Sequence, residues 1–252
     1  LQTMKATRGM VVAPHHLAAQ AGLRVLAEGG NAIEAIIAAA STIAAVYPHM
    51  NALGGDNFWL ISAPGADVAG IDACGAAAAK ADIAFYKDRG HESIPSRGPL
   101  AALTVAGAVS GWQQALELSG EWDGNIPLSR LLEDAEYYAR EGFPVTASQQ
   151  VNTREKLPEL TGVPGFAGLY LTRGKAPETG ATFRNPAFAK TLQRLGRDGL
   201  DDFYQGALAK DIGAELESAG SPVTVADLAR HRPLTVTPLE VKLAPGTVYN
   251  MP

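Results

Sequence analysis

The sequence is short of cysteine, of excess positive charge and of long hydrophobic runs. Cys74 is the only cysteine among the 252 residues, so no internal disulfide can form and no oxidising compartment is implied. One thiol cannot build a zinc site, and no cluster of histidine and cysteine compensates. The formal net charge of −5 offers no basic face for nucleic acid and no reason to expect an anionic membrane as partner. The longest apolar run, Ala35–Tyr47, contains Ser41 and Thr42 and falls short of the roughly 20 residues that span a bilayer. Leu1–Met10 carries Lys5 and Arg8 but neither an apolar core nor a small-residue cleavage site, so no secretory signal is visible. A cytoplasmic location is expected, with a periplasmic one left open if a leader was removed.

What is present is an ordinary globular composition, 46% hydrophobic and 19% charged, long enough for one large domain or two small ones. The chain is organised around Tyr47–Ile61. Pro48 stops an alanine-rich helix because its ring fixes φ and it lacks a backbone N–H. Gly54-Gly55 follows, where the chain can take positive φ or let another backbone approach. Asn57–Ile61 then reads as a short buried strand. A glycine corner between a buried helix and a buried strand suits a ligand site or a chain-packing point.

Around this corner the pattern predicts a strand at Gly9–Ala13 and an amphipathic helix at His15–Glu28 ended by Gly29-Gly30. Asn31 with Glu34 reads as the capping box of a second helix, Ala32–Val46, apolar on nearly every side and therefore expected to be buried all round. Strands are expected at Asn57–Ser62, Val68–Asp72, Leu100–Val105, Leu234–Val241 and Thr247–Met251. Further helices are expected at Asp82–Arg89, Gly107–Leu118, Leu128–Glu141, Thr146–Leu157, Pro186–Arg197, Asp201–Gln205 and Ala207–Ala219. Thr224 and Asp227 form a second capping box before Leu228–His231. Thr161–Pro186 is rich in glycine and proline and reads as irregular. The order of elements alone favours α+β or mixed α/β.

Several stretches carry a resemblance. Met10-Val11-Val12-Ala13-Pro14-His15-His16-Leu17-Ala18, Gly29-Gly30-Asn31-Ala32-Ile33-Glu34-Ala35, Tyr47-Pro48-His49 and Leu53-Gly54-Gly55 resemble, in order and spacing, the opening signature of the γ-glutamyltransferase family. GGDNFWL stands where that family shows GGGGF, which is similar to a branch containing oxamate amidohydrolase and related amidases. The likeness continues through Arg97–Trp112, Pro127–Val145, Thr182–Gly206 and Thr224–Tyr249. It implies an α+β chain with the four-layer αββα fold of N-terminal-nucleophile hydrolases, Leu1 to Pro252 forming the large-subunit portion of one domain. It also implies amide hydrolysis or acyl transfer by an N-terminal threonine, whose own amine serves as base. No internal threonine has a free amine, so no catalytic residue is expected in this chain. The nucleophile is expected on a separate small subunit cut from the same precursor, with pairs of such heterodimers compatible with the resemblance. No cofactor and no metal are implied.

The family grips the α-carboxylate of a glutamyl group with an arginine in a motif like ID-x-REMAP. The matching stretch is Ile71-Asp72-Ala73-Cys74-Gly75, which puts Cys74 at the arginine and Gly75 at the glutamate. A guanidinium is a permanently charged bidentate fork, and a thiol offers one weak donor. The substitution argues for a smaller or differently anchored amide, such as oxamate. Two alternatives stay open: a true γ-glutamyltransferase with another anchor, and a non-catalytic scaffold. Cys74 and Gly75 line a narrowed acyl pocket in the functional reading. In the plain reading Cys74 is a small buried hydrophobe. Arg97 is the nearest replacement anion anchor, against an ordinary surface arginine. His49 is a substrate-site candidate, against a hydrogen-bonded structural histidine. His15 and His16 are expected to point different ways and make a poor metal pair, one of them capping or packing at the helix start. The run Glu133-Asp134-Glu136 reads as a solvated face. Gly107-Ala108-Val109-Ser110-Gly111 is rejected as a nucleophile elbow, because glycine directly follows the serine.

Overall fold

A computed structural model describes residues 3–252; Leu1 and Gln2, where the leader reading begins, lie outside them. The elements are, in chain order, α1 (His16–Ala27), α2 (Ala32–Val46), β1 (Phe58–Ile61), β2 (Ala69–Asp72), α3 (Ile83–Lys87), α4 (Ala108–Glu121), α5 (Leu128–Glu141), β3 (Phe143–Pro144), α6 (Ala147–Leu160), α7 (Phe166–Tyr170), β4 (Thr182–Phe183), α8 (Pro186–Asp198), α9 (Ala207–Ser218), α10 (Val225–Arg230), β5 (Leu234–Val236), β6 (Leu239–Leu243) and β7 (Gly246–Asn250). The class is α+β. The described residues form two compact units. One takes the chain up to Ala52 with Leu116–Val145 and Gly180–Gly199; the other takes Leu53–Ala115, Thr146–Thr179 and Leu200–Pro252. No described helix is long and apolar enough to cross a membrane.

The first unit is a run of packed helices: α2 lies against α1 and α5, and α5 against α8. Helix α2 begins where Asn31 caps Ile33 and Glu34 while the Glu34 carboxylate returns to the Asn31 N–H at 2.8 Å. The other Glu34 oxygen accepts from Ile126 N at 2.7 Å, so this buried charge has the partners that burial demands. The expectation that α2 is buried all round is corrected. Ile33, Ile37, Ala38 and Val46 are enclosed, but Ala32 and Ile36 are exposed and Ala40 and Ile43 only partly covered, and these four share one stripe at helical spacing.

The second unit holds a three-stranded antiparallel sheet in the order β1-β2-β5. Phe58 pairs with Asp72 and Asp72 with Leu234; Leu60 pairs with Gly70 and Gly70 with Val236. Because side chains alternate along a strand, Trp59 and Ile61 are buried while Phe58, Leu60 and Leu234 stand 53%, 41% and 61% exposed on the opposite face. The strand at Asn57–Ile61 is therefore half-buried, not wholly buried. The hairpin β6–β7 pairs Val241 with Val248 and shows Leu239, Val241, Leu243 and Val248 to solvent.

Several expected elements differ, each for a local reason. Gly9–Ala13 pairs with no described strand; the Val11 methyl groups lie against Gly22 of α1 instead. Leu100–Val105 is no strand: Pro99 opens a 3-10 turn over Pro99–Ala101, its fixed φ suiting that start, and only Thr104 forms a bridge, to Ala77. Asp201–Gln205 is replaced by a 3-10 turn at Leu200–Phe203. Leu234–Val241 is broken between Val236 and Leu239, where Pro238 cannot donate to a ladder. The irregular span Thr161–Pro186 contains α7 and β4, and β4 pairs with β3 through Phe143 and Phe183.

Candidate functional site

The residue at the arginine position sits just past the end of β2, where three backbone segments meet in the second unit. Ala73 N donates to Asn57 O at 2.9 Å, Val105 N to Ala76 O at 3.0 Å, and Gly107 N and Ala108 N both reach Gly55 O, at 2.9 and 2.8 Å. A Cβ on Gly75 would fall 1.6 Å from Val105 O, and one on Gly107 would fall 1.7 Å from Ala73 O. Only glycine fits at either place. At the Gly54-Gly55 corner a Cβ on Gly54 would meet open space, and Gly55 contributes its carbonyl as the acceptor for Gly107 N and Ala108 N.

Asp56 and Asp72 finish the local geometry. Asp56 Oδ1 accepts from Gly75 N at 3.0 Å, and Asp72 Oδ1 from Cys74 N at 2.8 Å. Cys74 is exposed, which corrects the buried-hydrophobe reading: its backbone is held at the lip of the turn by Asp72. Partial desolvation, the charge and hydrogen bond of Asp56, and the charge of Asp72 push the thiol above its ordinary range. An activated thiolate needs a neighbouring cation or helix start; Cys74 has carboxylates beside it and is a neutral thiol at pH 7. The turn at Cys74 is thus acidic.

Behind the turn lies a buried polar group built on Ser110, the serine of the rejected elbow motif. Ser110 Oγ is 2.7 Å from Gly107 O and 2.8 Å from His231 Nε2. The hydroxyl has one proton. It donates to the carbonyl, which cannot donate in return, and so it accepts from His231 Nε2–H. Tyr204 OH accepts from Ser110 N at 2.9 Å and donates to Ala106 O at 2.8 Å. Burial and then the Arg232 charge lower the His231 pKa, with Asp56 opposing, so the imidazole is neutral near pH 7. Burial pushes Tyr204 up to about 12, against the opposing effect of its bonds with Ser110. Ser110, 3% exposed and without a base to take its proton, is no nucleophile.

The other candidates have partners of their own. Arg97 precedes the 3-10 turn and not a strand; its Nε donates to Glu159 Oε2 at 3.0 Å and its Nη1 to Ser96 O at 3.3 Å. Its guanidinium is already engaged by a carboxylate of α6. His49 belongs to the first unit, its ring 4.2 Å from that of Tyr47, and burial lowers its pKa. His15 caps α1, its Nδ1 accepting from Leu17 N at 3.2 Å. The two adjacent histidines do not diverge, since their rings stack at 4.6 Å. Asp134 is buried and paired with Arg24, so the Glu133–Glu136 run is not simply a solvated face. It lines a cleft of about 770 Å³ with Arg130, Tyr137, Tyr138 and Arg140, whose arginines are taken by Glu28, Glu136 and Glu141. No group of three or more His, Cys, Asp or Glu among the described residues could hold a metal ion.

Asp56 left a signal in the sequence, standing where the resembling family has the third glycine of GGGGF, and Ser110 stood in the rejected elbow motif. His231 and Ser110 meet across 121 positions, and no local pattern announces such a pair.

Comparison with known proteins bears on the family and the fold. A profile described as gamma-glutamyltranspeptidase matches residues 18–252. The chain is 52% identical over 246 residues to the oxamate amidohydrolase proenzyme of Klebsiella pneumoniae subsp. pneumoniae, covering 97% of this chain and 46% of that protein. It is 37% identical over 247 residues to the glutathione hydrolase-like YwrD proenzyme of Bacillus subtilis, covering 98% and 46%. The chain therefore spans about half the length of the curated relatives it matches. Among solved structures, Helicobacter pylori gamma-glutamyltranspeptidase superposes with a TM-score of 0.90 at 25% identity, covering 100% of this chain and 72% of that one. The fold is accordingly that of the N-terminal-nucleophile hydrolases, and the chain belongs to the gamma-glutamyltranspeptidase family.

Proposed function

We propose that this chain is the large-subunit portion of an amidohydrolase that cleaves a small amide such as oxamate, with the threonine nucleophile on a separate small subunit from the same precursor. The single observation that carries this reading is Cys74, a neutral thiol flanked by Asp56 and Asp72 at the arginine position. A γ-glutamyl group carries its α-carboxylate three carbons beyond the acyl carbon, and that charge needs a cationic partner far from the nucleophile. At this wall it would meet two carboxylates. Oxamate has its carboxylate bonded directly to the acyl carbon, too close to the nucleophile to reach the wall, so the acidic lip costs it nothing. The 52% identity to an oxamate amidohydrolase proenzyme supports the same class.

In this reading the threonine amine takes the hydroxyl proton, the oxygen attacks the amide carbonyl, and ammonia leaves with that proton. Water then cleaves the ester and returns the threonine. This chain contributes the wall and its scaffold. The uncovered faces of α2, of β1 and β5, and of the β6–β7 hairpin are surfaces that a subunit partner would bury, and the proenzyme names of the relatives fit a processed precursor. A cytoplasmic location stays part of the proposal, to be checked by cell fractionation.

The test is ammonia and oxalate release from oxamate by the complete processed protein, beside a variant lacking the small chain's N-terminal threonine hydroxyl. Equal release of both products by the parent alone is expected. No release from oxamate by a correctly processed parent would overturn the substrate reading.

A further inference from the structure

We infer that His231, Ser110 and Tyr204 form a positioning clamp for the Asp56–Cys74–Gly75 wall, with His231 acting through the Nε2–H that it donates to Ser110. This rests on reading that wall as part of an acyl site.

The clamp holds one short turn at three places. Tyr204 OH bonds Ala106 O and Ser110 N, at its two ends. Ser110 Oγ bonds Gly107 O in its middle, and His231 Nε2, from the end of α10, fixes the rotamer of that hydroxyl. The same turn touches the wall from two sides. Gly107 N and Ala108 N bind Gly55 O, one residue before Asp56. Gly107 also lies flat against Ala73 O, one residue before Cys74, with no room for a Cβ. Asp56 then closes the circuit on Gly75 N. If the turn moves, Asp56 and Cys74 move relative to each other.

Three buried polar side chains are an expensive way to fill a core. Each costs free energy unless its bonds are made, and apolar residues would pack the same volume. What the polar set supplies is direction: every donor has one acceptor, and one arrangement of the turn satisfies them all. His231 touches no substrate in this scheme and is a positioning residue.

The choice of substitution tests the mechanism. Glutamine places its amide nitrogen near the Nε2 position and keeps the donor, whereas asparagine places it near Nδ1 and loses the bond. His231→Asn, His231→Gln and Ser110→Ala should be made in the complete protein. The rate at which iodoacetamide alkylates Cys74 should be followed by peptide mass mapping at neutral pH. In His231→Asn and Ser110→Ala, Asp56 is freed from the thiol, the thiol titrates lower, and alkylation should speed up roughly threefold to tenfold. His231→Gln should restore most of the parent rate.

Unchanged Cys74 alkylation in folded His231→Asn or Ser110→Ala would overturn the clamp, and so would equal effects of Gln and Asn. If His231→Asn does not fold, the smaller Ser110→Ala change decides. If the parent does not turn over oxamate, the substrate reading fails, while the alkylation rates still decide the clamp.

Discussion

At position 74 the chemistry turns on charge. A guanidinium there would clasp a carboxylate; a thiol between Asp56 and Asp72 cannot. Restoring the arginine alone should do little, because Asp56 would take the new guanidinium for itself. Cys74→Arg is therefore expected to leave the KM for a γ-glutamyl anilide within about threefold. Cys74→Arg combined with Asp56→Asn, which removes the charge but keeps an oxygen to accept from Gly75 N, should lower it roughly tenfold, the effect of one charge-assisted hydrogen bond. Steady-state kinetics of the two singles and the double variant give the coupling. Gly75 is governed by space and not by charge. With Val105 O only 1.6 Å from where a Cβ would lie, Gly75→Ala should destabilise the fold by about 1–3 kcal/mol or more. Cys74→Ser, at an exposed position, should stay within about 0.5 kcal/mol. Thermal unfolding of both variants separates the two effects.

Helix α10 shows how one element fixes another segment. Asp227 caps it through the Thr224 hydroxyl and N–H, accepts Arg230 Nη2 at 2.5 Å, and reaches out to Ala79 N at 3.0 Å. Burial opposes its ionisation, but the bonds from Thr224, Ala79 and Arg230 outweigh that and hold the carboxyl below its ordinary range. A carboxyl with a depressed folded-state pKa contributes stability that is present above its unfolded pKa of about 3.9 and lost as pH falls through the folded value. Asp227→Asn should cost about 1–3 kcal/mol at neutral pH, and the gap from the parent should close below about pH 4. Denaturant titrations across that range measure it.

Such short-range devices were legible in the sequence. The bounds of α2 and α5, both capping boxes and the stop at Pro48 all follow from residues within a few positions of each other. Other features depend on distant partners and left no local mark. Ser110 bonds His231, Gly75 lies against Val105 O, and the buried Asp134 pairs with Arg24. The strand expected at Leu100–Val105 failed because Pro99 and a single bridge decided its conformation, not its β-branched content. The role proposed for Cys74 in an acyl wall was readable only through the motif it interrupts.

For the molecule as a whole, the described chain exposes apolar residues on three elements of regular structure: the Ala32–Ile43 stripe, the Phe58–Leu60–Leu234 sheet face and the β6–β7 hairpin. Adjacent apolar exposure on this scale marks contact surfaces. It fits a chain that spans 46% of its relatives' length. The complete protein should therefore be markedly more resistant to heat than these residues expressed alone, a comparison that differential scanning calorimetry makes directly. The central claim, that the wall at Cys74 rejects an amino-acid tail and tolerates a short acyl group, meets its most direct test in the complete protein given oxamate and a γ-glutamyl anilide side by side. A larger kcat/KM for oxamate is expected. Faster turnover of the anilide would contradict it.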